Sequence, residues 1–163
     1  MAPLREWEED LKELSSYQPT ARRIFWTGAN PFVMSFDNLK TRALLVHEYL
    51  KECQTMAMFA NIRDIKDKKV KQLRALRRLG INGLSIGTES GDNATLRLAN
   101  KGYTAKDIID QCRKLDEAGI EYYFVYMTGL AGKGNGPSKV TDANQRKMFL
   151  QAKAKIPRLH LTL

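Results

Sequence analysis

Two stretches of this chain end in the same way. Leu79-Gly80-Ile81 and Ala118-Gly119-Ile120 each close an apolar helical pattern, and each leads into an apolar run suited to a strand. A repeated unit of helix, glycine and strand demands parallel strands joined by right-handed helical crossovers. The rest of the chain extends that rhythm to one helix, four strand-helix units and a final strand. A doubly wound sheet and a partial or full α/β barrel both satisfy this order, and the pattern by itself does not choose between them.

The individual elements follow from spacing and punctuation. Leu4, Trp7, Leu11 and Leu14 predict an amphipathic first helix, ending near Ser15-Ser16. Arg23 to Gly28 reads as an aromatic and β-branched strand stopped by glycine, and Thr55 to Ala60 as a second strand. Asp37 is expected to cap the helix between them, and Asp64 or Asp67 the helix that buries Ile65, Val70, Leu73, Leu76 and Leu79. Leu84-Ser85-Ile86 starts the third strand. Thr104 and Asp107 form a capping box for a helix with Ile108, Cys112 and Leu115 inward. Tyr122 to Thr128 is the fourth strand, Ser138 or Thr141 starts a last helix, and Leu159 to Leu163 is a fifth strand.

Composition excludes several function classes. With 163 residues, 43% of them apolar and 28% charged, the chain suits one soluble domain over residues 1–163. It contains no apolar run long enough to span a membrane, and its acidic N-terminus is no secretory signal, so the cytoplasm is the expected compartment. Cys53 and Cys112 stand far apart, with no metal-ligand spacing, and are expected as buried free thiols. Two histidines, His47 and His160, leave little for a histidine-based centre.

The net charge of +9 favours anionic ligands. Lys66, Lys68, Lys69, Lys71, Arg74, Arg77 and Arg78 crowd one segment, which reads as the solvated outer face of a helix. It also admits a non-catalytic basic module that holds RNA or an acidic partner, although no aromatic residue interrupts the run to stack on bases. The loop Gly129 to Gly136 fits neither a P-loop nor a dinucleotide fingerprint, because Gly134 precedes Asn135 and the glycines alternate. It is expected as a loop on the ligand face.

The most informative stretch is Leu84 to Tyr103. Its apolar strand ends in Gly87-Thr88-Glu89-Ser90, and a short helical run leads to Lys101-Gly102. A carboxylate just past a parallel strand lies where α/β folds gather ligand contacts, although such a residue is also a common helix cap or surface group. As the general base of an ordinary TIM-like barrel, Glu89 would lack an evident acid partner.

From Arg23 to Gly136 the chain resembles the radical S-adenosylmethionine superfamily, in the branch related to oxygen-independent coproporphyrinogen oxidase. The residues that carry this are Ile86-Gly87-Thr88-Glu89-Ser90, Lys101-Gly102, Thr27-Gly28-Ala29-Asn30, Phe59-Ala60-Asn61 and Gly129-Leu130-Ala131-Gly132. The resemblance implies a partial (βα)6 barrel with strands two to six present and the first strand missing, so that the chain is the central fragment of a larger barrel. It implies S-adenosylmethionine as the ligand, with Glu89 on the nucleoside and Lys101 on the carboxylate. Gly28 and Ala29 would grip the amino group through their backbone, with Asn30 beside them, and Gly129 would lie against the adenine. Relatives carry a carboxylate where Phe59 stands here, and Asn61 is the candidate substitute.

The implied parent reaction is reductive cleavage of S-adenosylmethionine to a 5′-deoxyadenosyl radical, followed by hydrogen abstraction from a small-molecule substrate. The Cys-x3-Cys-x2-Cys motif that holds the family's [4Fe-4S] cluster is not in this sequence. The expectation is therefore a chain that binds S-adenosylmethionine more weakly than an intact relative, lacks radical activity on its own, and self-associates through exposed sheet edges.

Overall fold

A computed structural model of the chain describes residues 2–127, Leu130, Asn144, residues 146–148 and the backbone of residues 160–162. Five strands form one sheet: β1 (Arg23–Trp26), β2 (Thr55–Ala60), β3 (Ile81–Glu89), β4 (Glu121–Met127) and β5 (His160–Thr162). They stand side by side in chain order, and every neighbouring pair is parallel. A doubly wound sheet reverses its strand order at a switch point. Here the order advances in one direction only, so right-handed crossovers put the helices on one face. The fold is an open arc of an α/β barrel.

Six helices whose bounds lie within the described residues accompany the sheet: α1 (Leu4–Tyr17), α2 (Phe36–Tyr49), α3 (Ile62–Lys66), α4 (Val70–Arg78), α5 (Asn93–Leu98) and α6 (Ala105–Ala118). A 3-10 turn at Pro31–Val33 follows β1. Trp26, Met56, Met58, Leu84, Ile86, Tyr122 and Phe124 point from the sheet into the helices. They meet Leu39, Ala43 and Val46 of α2, Leu73 and Leu76 of α4, and Ile108, Cys112 and Leu115 of α6 in one core. Cys53 and Cys112 are buried free thiols. On the opposite face Phe25 and Phe59 are each about two-fifths exposed, at 40% and 38%, and their rings meet edge to face at 5.0 Å.

Several local expectations hold. The α6 capping box forms, with Thr104 N–H donating to Asp107 Oδ2 at 2.9 Å and Asp107 N–H to Thr104 Oγ1 at 3.2 Å. The end of α6 is a full Schellman pair around Gly119 at φ +74°: Gly119 N–H reaches Asp116 O at 3.1 Å and Ile120 N–H reaches Leu115 O at 3.0 Å. Other expectations are corrected. Ser35, not Asp37, caps α2, because its Oγ is the group that reaches Asn38 N–H, and Asp37 falls within the first turn.

The single helix expected after β2 is two, because Asn61 caps α3 and the chain breaks at Asp67-Lys68-Lys69 before α4. Lys68 is the reason. It is only 5% exposed rather than part of a solvated face, and its Nζ donates to Phe32 O at 2.8 Å and to Asp64 O at 3.3 Å. Its ammonium also lies 4.5 Å from the centre of the Phe32 ring. Turning this residue inward breaks the helical run and fastens α3 to the turn after β1. The Gly129 to Gly136 loop, apart from Leu130, and the start of the last helix lie outside the described residues. Among the described residues no helix is long and apolar enough to cross a membrane.

Candidate ligand site at the strand ends

Parallel strands in chain order bring all their carboxyl ends to one rim. At the rim end of β3 the register with β4 shifts between Gly87 and Glu89, leaving Thr88 as an extra residue. Glu89 takes φ +60°, rare for a residue with a side chain, and Ser90 N–H donates to Thr88 O at 2.7 Å across it. Such a turn costs about 1 kcal/mol or more and re-aims the side chain it carries.

The chain then returns through α5, capped by Asp92, whose Oδ2 accepts from Thr95 N–H at 2.8 Å. Asn144 donates to the other Asp92 oxygen at 2.9 Å. Asn100 closes the helix at φ +50°, a conformation asparagine tolerates, and Lys101 N–H donates to Leu96 O at 3.0 Å. This closure delivers Lys101 to the rim, where its Nζ donates to Glu89 Oε1 at 3.2 Å. Their side chains are 26% and 16% exposed, which makes the pair half-sheltered rather than a surface ion pair.

Two further residues complete this corner. Buried Tyr103 donates its hydroxyl to Gly87 O at 2.8 Å. Burial raises its pKa well above the usual phenol range, and the Glu89 charge adds to this against the opposing charge of Arg63. The Arg63 guanidinium lies on Gly102, where a Cβ would fall inside it, 2.7 Å from Cζ, and Gly102 has φ +68°.

The other candidates gather at the ends of β1 and β2. Gly28, Ala29 and Asn30 line a cavity of about 650 Å³ between β1 and α1, shared with Trp7, Leu11 and Trp26; Glu89 and Lys101 do not line it. Asn30 Nδ2 donates to Asp64 Oδ2 at 2.6 Å, while its enclosed Oδ1 meets no donor among the described residues. Asn61 N–H reaches the same Asp64 oxygen at 3.0 Å, and Asn61 Oδ1 accepts from Arg63 N–H at 3.0 Å. The Asn61 carbonyl is therefore spent on capping α3, and only its amide nitrogen remains to offer. Gly129 lies outside the described residues. Contacts run from Asn30 through Asp64, Asn61 and Arg63 to Gly102, next to the Lys101-Glu89 pair, so these four candidates, Asn30, Asn61, Lys101 and Glu89, form one band along the rim. Sequence reading missed Arg63 and Tyr103. The glycine after Lys101 is the one local sign of a close approach there.

S-adenosylmethionine fits this band chemically. Glu89 offers acceptors for hydroxyls, Lys101 a cation for a carboxylate, and the orphaned Asn30 oxygen an acceptor for an ammonium group. An iron-sulfur cluster does not fit the described residues. Cys53 and Cys112 are buried on the helix side, and burial pushes the Cys112 thiol up to about 12, far from the thiolate that binds iron. No group of three or more metal-ligating side chains occurs among the described residues. Four cations of the basic stretch make contacts within the fold, Lys68 as a buried residue and the others at the surface: Lys66 with Asp107, Arg74 with Glu117 and Arg77 with Gly119 O.

Comparison with known proteins agrees with the fold. No curated protein sequence matches the chain. Coproporphyrinogen III oxidase from Escherichia coli, a radical SAM enzyme, superposes over 96% of this chain and 36% of its own, with a TM-score of 0.71 and 16% identity. The methyltransferase TsrM from Kitasatospora setae, a radical S-adenosylmethionine enzyme, superposes over 95% of this chain and 30% of its own, at a TM-score of 0.68 and 15% identity. The archaeal Elp3 of Methanocaldococcus infernus does so over 98% and 41%, at 0.65 and 16% identity. The chain thus spans less than half the length of each. The sequence model of the radical SAM superfamily matches residues 2–141, most of the chain, and the protein therefore belongs to the radical SAM superfamily.

Proposed function

We propose that this chain is the S-adenosylmethionine-binding part of a radical iron-sulfur oxidoreductase, related in kind to coproporphyrinogen oxidase. The observation that carries this reading is the Lys101-Glu89 pair at 3.2 Å, held by a strained turn on one side and an asparagine-closed helix on the other. Backbone strain of this kind clusters at ligand clamps and active sites, and here it aims one of two complementary charges at the rim. In relatives the bound S-adenosylmethionine undergoes one-electron reductive cleavage; the residues of this chain hold and orient it.

Lys101 turns from Glu89 to the ligand carboxylate. That releases Glu89, whose two oxygens accept the ribose hydroxyls. Gly28 and Ala29 offer backbone acceptors to the ammonium group, and Asn30 Oδ1 adds another. Asn61 contributes its amide beside Phe59, and Gly129 supports the adenine. The reading as a basic RNA-binding module has less behind it, because the fold already engages Lys66, Lys68, Arg74 and Arg77.

Titration calorimetry with S-adenosylmethionine, carried to millimolar ligand, tests the reading. The native chain binds, and Lys101→Ala loses about tenfold or more in affinity, the worth of one charged hydrogen bond. Equal affinity in the two proteins, or none in either, would sink it.

A further inference from the structure

We infer that Arg63 is a second ligand-binding cation, forming with Lys101 a paired seat for the ligand carboxylate. This deepens the proposed reading and rests on it. Nearby cations on this side of the fold are already engaged: Lys101 with Glu89, Lys66 with Asp107, and Lys68 with the carbonyls of Phe32 and Asp64. Arg63 differs. Only its backbone N–H is used, by the Asn61 cap, and among the described residues its guanidinium makes no hydrogen bond or ion pair.

It is exposed, yet its terminal atoms lie against Gly102. A Cβ built on Gly102 would fall 1.6 Å from the Arg63 Nη2, so a side chain there would have to displace the guanidinium. Lys101 is the covalent neighbour of Gly102, and adjacent Cα atoms stand about 3.8 Å apart. The two cations therefore flank one peptide, Lys101 by sequence and Arg63 by contact. Tyr103, the residue after Gly102, donates its hydroxyl to Gly87 O two residues before Glu89, which brings Arg63, Lys101 and Glu89 to one corner.

A carboxylate suits this corner better than other ligand groups. A guanidinium presents a planar fork of donors that matches two carboxylate oxygens, and a lysine ammonium supplies a point charge beside it. When the ligand carboxylate arrives, it replaces Glu89 as the counter-ion of Lys101, and Arg63 adds the second positive charge that balances the two carboxylates then present. Gly102 is the third member of the device: its φ of +68° favours glycine, and a side chain there would have to push the guanidinium away.

The test compares S-adenosylmethionine with decarboxylated S-adenosylmethionine, which keeps the nucleoside, sulfonium and amine. Calorimetry on the native chain, Arg63→Ala, Arg63→Lys and Lys101→Ala gives eight affinities. Arg63→Ala should weaken S-adenosylmethionine about tenfold or more and leave the decarboxylated compound within about twofold. Arg63→Lys should recover part of the loss, because it keeps the charge without the fork.

A loss equal for both compounds makes Arg63 a structural latch on Gly102 and overturns the assignment. An unchanged affinity in Arg63→Ala alongside a loss in Lys101→Ala overturns it too, with the wider reading intact. If neither substitution matters, or the native chain binds neither compound, both fall. Gly102→Ala serves as a second probe, expected to reproduce the selective loss by pushing the guanidinium aside; an equal loss for both compounds there counts against the seat as well.

Discussion

Asn30 Nδ2 donates to Asp64 Oδ2 at 2.6 Å, so one buried carboxylate fastens the loop leaving β1 to the first turn of α3. Asn61 N–H converges on the same oxygen at 3.0 Å. Asp64→Ala strands both donors and should cost about 2 kcal/mol of stability. Asp64→Asn should cost less than about 1 kcal/mol, because an amide oxygen can stand where Oδ2 stands. Urea denaturation of the two variants decides; equal losses would mean that charge, not position, matters at this point.

Glu89 carries two separable burdens, a positive φ and a ligand-facing carboxylate. Glu89→Gly should be more stable than Glu89→Ala by about 1 kcal/mol, because glycine accepts φ +60° without strain. Both should bind S-adenosylmethionine equally poorly. Thermal melts would read the first difference and calorimetry the second. Equal melting points would show that the turn relaxes when its side chain is lost.

Burial holds the Cys112 thiol protonated up to about 12. In the unfolded chain a thiol ionises near 8.5, so above that value the folded state keeps a proton that the unfolded state releases. The stability associated with this proton is complete below about pH 8.5 and declines as pH rises toward 12. By pH 10 the native chain should lose about 2 kcal/mol relative to Cys112→Ala. Denaturation curves of both proteins at pH 7, 8.5 and 10 check it; a constant difference between them across the series would disprove the linkage.

The outer edge of β1 has no partner among the described strands. Such an edge invites pairing with another chain, and the net charge of +9 opposes it. Self-association should therefore grow as salt rises from about 0.05 to about 0.5 M, because screening weakens the repulsion. Light scattering that finds a monomer throughout this range would refute it.

Local chemistry was readable in the sequence where one residue decides the outcome. Gly119 ends α6, and Thr104 with Asp107 begins it, because each acts on backbone groups within a turn of itself. The parallel order was readable too, since only helical crossovers separate the strands. What escaped depends on partners far along the chain. Lys68 looks like its exposed neighbours until Phe32 O lies beside it. Nothing in Gly-Thr-Glu-Ser announces a positive φ at Glu89, because the register with β4 imposes it. Arg63 could not be linked to Gly102 by any local rule. Resemblance put Glu89 and Lys101 at one rim on different parts of a ligand, whereas their direct ion pair and the asparagine-closed turn that aims the lysine were not anticipated.

The arc of strands keeps two accounts in alternate residues. Met56, Met58 and Ala60 answer to the helices behind them, while Ala57 and Phe59 answer to whatever enters in front. A saturation scan along β2 should show stripes, with expression and melting temperature sensitive at every second position and ligand preference at the ones between. A lineage built on this arc can revise its chemistry at Phe25 or Phe59 without reopening the question of whether it folds. Deleting one residue within the strand would exchange the two sets and forfeit both.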